Sequence, residues 1–128
     1  MQEMIYSFNS KRNILDEGFF TGYHYCILSL GTHPCAYVEI PKDHKYYGKN
    51  YLDMNINCHG GLTFSSQNGL PPIIENGFWI GWDYNHFYDY NGLFVNQLMM
   101  DFSNRKRWTT QEILDEVKSV IFQLKGIK

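Results

Sequence analysis

Apolar residues fall in short runs along most of the chain and in one helical stripe at its end. Ile113, Val117, Val120, Ile121 and Leu124 recur at steps of three and four, the spacing that gathers side chains on one face of an α-helix. Thr109-Thr110-Gln111-Glu112 precedes them and fits a capping box, with Thr109 as N-cap and Glu112 at the third helical position. Gly126 supplies the stop. A helix with one apolar stripe needs a surface to cover, and the rest of the chain predicts a sheet for it.

Tyr23–Leu30 is rich in aromatic and aliphatic residues and ends at the turn residues Gly31-Thr32-His33-Pro34. Ala36–Ile40 reads as the returning strand, closed by Pro41. Asn55–His59 and Leu62–Ser65 read as short strands joined at Gly60-Gly61, and Phe78–Asp83 as a central strand, apolar on both faces. Met4-Ile5-Tyr6 and Gly18-Phe19-Phe20 have strand composition, Lys42–Tyr51 and Gln67–Asn76 read as loops, and Leu93–Met100 as a short helix. These elements predict an α+β fold, an antiparallel or mixed sheet of about five strands with the C-terminal helix packed on it. No repeat or linker divides residues 1–128, so one domain is expected.

Composition narrows the function. The 128 residues carry 11 basic and 13 acidic side chains, a net charge of −2, which argues against general nucleic-acid binding. Aromatic residues make up 17%, more than a core of this size needs, so rings are available for a groove or for a homo-oligomer interface. Cys26, Cys35 and Cys58 are an odd number without metal-like spacing, which fits a reducing, cytoplasmic setting. The N-terminus has no signal pattern and no apolar run approaches ~18 residues, so no membrane association is expected.

Two polar blocks sit inside the apolar pattern. In His59-Gly60-Gly61-Leu62-Thr63-Phe64 the paired glycines allow unusual backbone angles and close approach of another group. His59 and Thr63 flank that turn; its plain alternative is a tight turn beside a hydrogen-bonded core histidine. In Trp79-Ile80-Gly81-Trp82-Asp83-Tyr84-Asn85-His86-Phe87-Tyr88-Asp89 a carboxylate ends a buried strand, which is costly unless it is paired. A helical turn after Asp83 would set Asp83, His86 and Asp89 within one broad face, and His59 would complete a His/Asp cluster. Such a cluster suits a divalent metal with an open water position, imidazoles oriented by carboxylates in a metal-free ligand site, or a polar network that only fixes the loop. Arg105-Lys106-Arg107-Trp108 precedes the helix. Phosphates would gain from Arg105, Arg107 and the free N–H groups of the first turn, and Trp108 offers a stacking face; its plain alternative is a solvated basic loop. Lys42-Asp43-His44-Lys45, followed by Tyr46 and Tyr47, carries a similar mixture of charge and rings, its plain alternative again a solvated surface, and His24 and His33 suggest no chemistry.

The order of these blocks, with Tyr37-Val38-Glu39-Ile40-Pro41, His44, Gly48-Lys49 and Tyr51 ahead of them, resembles a family of small proteins encoded by phages and prophages, over about residues 22–125. Trp82, Tyr84 and Phe87-Tyr88 are aromatic departures from its usual pattern. The resemblance implies an accessory protein in the cytoplasm of a bacterial host cell. That context implies a counter-defence protein without a cofactor, expected to bind a host protein or to sequester a nucleotide-type ligand. His59, Gly60, Gly61, Thr63, Asp83, His86, Asp89, Arg105, Arg107 and Trp108 are its candidate contacts. The alternative is a small metal-dependent phosphohydrolase with its metal on His59, Asp83, His86 and Asp89.

Overall fold

The computed structural model of the chain describes residues 14–30, 33–70, 74–85 and 106–128. Among these, five strands form one antiparallel sheet: β1 (Ile14–Phe20), β2 (Tyr23–Ser29), β3 (Pro34–Ile40), β4 (Phe64–Ser66) and β5 (Phe78–Asp83). Their order is β1-β2-β3-β5-β4, followed in sequence by one helix, α1 (Thr110–Gly126). The fold is therefore α+β with the C-terminal helix on the sheet. β5 lies between β3 and β4 rather than at the centre, yet Phe78–Trp82 is buried on both sides.

Strand alternation divides the buried residues between two faces. Tyr25, Ile27, Ala36, Val38, Ile40, Phe78, Ile80, Trp82 and Tyr84 face α1 and pack on Ile113, Val117, Val120, Ile121 and Leu124, all five of which are fully buried. Cys26, Leu28 and Trp79 face the other way, where Leu70, Tyr37 and Phe64 pack on them. The helix starts as its sequence dictates. Thr109 accepts from the Glu112 N–H, and the Glu112 carboxylate accepts from the Thr109 N–H, closing the capping box. It ends differently from the expected glycine stop. Gly126 is the last helical residue, and Ile127, in extended conformation, is the cap.

Asn55–His59 is not a strand, and the reason is where its hydrogen bonds go. The Asn57 N–H donates to Gln123 Oε1 at 2.7 Å and its carbonyl accepts from Gln123 Nε2 at 2.8 Å. The His59 N–H donates to Glu116 Oε2 at 2.9 Å, and the Asn55 N–H to the Tyr46 hydroxyl at 3.0 Å. Side chains of α1 thus take the place of a neighbouring strand. Glu116 and Gln123 are seven residues apart, two turns, and so lie on the same flank of the helix. The Lys42–Lys45 loop is not simply solvated either. The Tyr46 N–H donates to His44 Nδ1 at 2.9 Å, so the proton sits on Nε2, which donates to the Leu124 carbonyl at 2.8 Å. The expected strand at Met4-Ile5-Tyr6 and the helix at Leu93–Met100 lie outside the described residues.

Candidate functional site

The His59-Gly60-Gly61 block forms a turn in which the Gly61 N–H donates to the Cys58 carbonyl at 2.9 Å. Gly60 occupies its third position with φ 69°, the left-handed angle that a type II turn demands there. Gly61 follows at φ 84°. A side chain at either position would be strained, so both glycines serve the backbone. The turn lifts the His59 ring off the segment that runs along α1 and lays it on the end of β5.

There His59 meets two other rings. It stacks on Tyr84 with 4.8 Å between centroids and 5° between planes, and Trp108 lies 4.9 Å from His59 and 5.1 Å from Tyr84, tilted to both. Such separations are those of favourable ring pairs. Glu116, from the second turn of α1, ties the cluster down. One carboxylate oxygen accepts the His59 backbone N–H and the other accepts the Tyr84 hydroxyl in a short bond. The Tyr84 oxygen in turn accepts from Trp82 Nε1 at 3.0 Å. Burial, together with the bonded Glu116 carboxylate, raises the Tyr84 pKa strongly, so its hydroxyl stays protonated and remains a donor.

Asp83 belongs to the opposite face. β5 ends at Asp83, and the next N–H, that of Tyr84, still donates across to the Pro34 carbonyl at 3.0 Å. The helical turn that would carry His86 and Asp89 falls on residues outside the described ones; alternation turns Asp83 away from Trp82 and Tyr84. Its cross-strand partner is Cys35, and its carboxylate accepts from Thr63 Oγ1 at 3.3 Å and from the Asn85 N–H at 3.1 Å. Thr63 and Asp83 line a recess of about 260 Å³ with His33, Cys35, Tyr37 and Phe64. The sheet separates this recess from His59. His59, stacked on Tyr84, and Asp83, two members of the expected cluster, thus sit with opposite faces of β5. Among the described residues no group of three His, Cys, Asp or Glu side chains is arranged to hold a metal. His86, Asp89 and Arg105 lie outside the described residues.

The basic segment joins the ring cluster through Trp108. Lys106 Nζ stands 4.8 Å from the Trp108 ring centroid and pairs with Glu112 Oε2 at 2.7 Å, while Arg107 is exposed. The first-turn N–H groups expected to meet a phosphate are partly taken, because Thr109 already holds that of Glu112.

Three features escaped sequence reasoning. Tyr84 was visible only as an aromatic departure; its partnership with Trp82 is legible once β5 is extended to residue 84. Glu116 is one of several polar residues on α1, with only its place beside the apolar stripe to mark it. His24 is held between strands, Nε2 lying 2.9 Å from Glu17 and Nδ1 3.5 Å from Glu39, with Phe19 stacked on its ring.

Nucleophilic chemistry finds little support among the described thiols. Burial is the main cause that pushes Cys26 and Cys58 up to about 12 and Cys35 to about 11, which keeps all three protonated at neutral pH. Among the described residues no helix is long and apolar enough to cross a membrane. No family model, curated protein or solved structure matches the chain.

Proposed function

We propose that this chain is a binding protein, not an enzyme, and that it takes a nucleotide-type ligand at the ring cluster. The base lies against Trp108, and the phosphates meet Lys106 and Arg107. The observation that carries this reading is the half-buried Trp108 ring, braced by His59 and Tyr84 with the Lys106 ammonium beside it. A braced ring loses little freedom when a base stacks on it, and base–aromatic stacking contributes ~1–3 kcal/mol. The Lys106–Glu112 pair is exposed, so its hold on the ammonium is weak enough for a phosphate to compete. Buried, protonated thiols and a Glu116 carboxylate engaged by two donors suit a fixed surface better than a reacting centre.

The setting we propose, a bacterial cytoplasm where the protein counters host defence by sequestering such a signal, follows from the sequence resemblance. The test is thermal melting with ATP and with cyclic dinucleotides, followed by recovery of intact ligand. Stabilisation by at least one of them is expected, and the ligand should be returned unchanged. Trp108→Ala should weaken binding by about 5- to 100-fold if one stacked base is lost. No shift with any nucleotide, together with capture of a host protein that depends on Trp108, would replace the ligand by a protein partner.

A further inference from the structure

The contacts of Lys106 go beyond a cation beside a ring. We infer that Glu112 is an internal competitor for the phosphate-binding cation, holding Lys106 over Trp108 until a ligand displaces it. This inference rests on the nucleotide reading and concerns the regulation of that same site.

The two carboxylate oxygens of Glu112 have separate tasks. Oε1 accepts from the Thr109 N–H at 3.0 Å and from Thr109 Oγ1 at 3.3 Å, which closes the cap. Oε2 accepts from Lys106 Nζ at 2.7 Å. That bond draws the ammonium to within 4.8 Å of the Trp108 centroid, over the ring that would receive a base. A phosphate therefore has to take Lys106 from Glu112, and whatever the ion pair contributes in the free protein is subtracted from the affinity. The two tasks can be separated by one substitution. Glutamine also serves at the third position of a capping box, so Glu112→Gln keeps an oxygen for Thr109 while its neutral amide no longer holds the ammonium.

The experiment is calorimetric titration of ATP into four forms of the full chain: unaltered, Glu112→Gln, Lys106→Ala, and both together. Glu112→Gln should tighten ATP binding by about two- to fivefold, the range expected of an exposed ion pair. In the Lys106→Ala background the same substitution should have little effect. Equal tightening in both backgrounds would mean general relief of negative charge and would overturn the inference. So would no tightening in either. If only a cyclic dinucleotide stabilises the unaltered chain, it takes the place of ATP in the same titrations; absence of binding of either to the unaltered chain and to all variants would remove the nucleotide reading itself, and the inference with it. A second measurement needs no variant. Lys106 is the first cause of a lowered Glu112 pKa, so the Glu112 carboxyl, followed by carbon NMR, should titrate at higher pH when ATP is saturating. An unchanged titration with ATP bound would show that Lys106 never leaves Glu112.

Discussion

Replacing Val117 with aspartate is expected to cost at least ~4 kcal/mol of folding stability, near the whole margin of many small domains. Val117 is fully buried at the middle of the α1 stripe, among side chains from both the helix and the sheet. A carboxylate there would be surrounded by apolar groups, with nothing to accept from. Chemical denaturation followed by circular dichroism should show the transition displaced to low denaturant or lost. A variant that melts within a few degrees of the parent would mean that α1 does not pack on this sheet. Because Glu116 is adjacent on the same turn, the ring cluster should fail with the helix.

Gly81→Ala is expected to destabilise by ~2–3 kcal/mol although it adds a single methyl group. Gly81 pairs with Tyr37 across β3 and β5. A Cβ at residue 81 would overlap Tyr37 Cδ1, stand 2.7 Å from Cε1 and meet the Ala36 carbonyl oxygen at 3.0 Å. The ring has to leave, but it is packed against Phe64 at 5.4 Å and against the buried cluster of Cys26, Leu28, Leu70 and Trp79. Removing the ring as well, in Gly81→Ala with Tyr37→Ala, should cost clearly less than the sum of the two single changes. Full additivity would show that the ring does not rest on Gly81.

What the sequence made legible was local. The α1 stripe and its capping box are decided within the one stretch Thr109–Gly126, and the apolar run at Phe78–Asp83 admits little but an interior strand. What it hid was non-local. Asn55–His59 has strand-like composition, but its hydrogen bonds are met by Gln123 and Glu116, more than fifty residues later, and no nearby pattern announces this. His59 and Asp83 looked like partners because both are polar and both border apolar strands. Their faces are set by strand parity, and parity could have been applied: an extended chain through Tyr84 sends Tyr84 one way with Trp82 and Asp83 the other. Trp108 and His59 were both singled out and touch directly, but Tyr84, which packs on both rings, holds a place that depends on that same parity.

The most direct test of the account is an ATP titration followed by two-dimensional NMR on the labelled full chain. Shifts are expected at the Trp108 indole N–H, the His59 ring and the Lys106 backbone, while Thr63 and Cys35, across the sheet, stay in place. Coordinated shifts of Thr63 and Cys35 with the Trp108 group unmoved would contradict it, and so would a spectrum that neither ATP nor a cyclic dinucleotide changes.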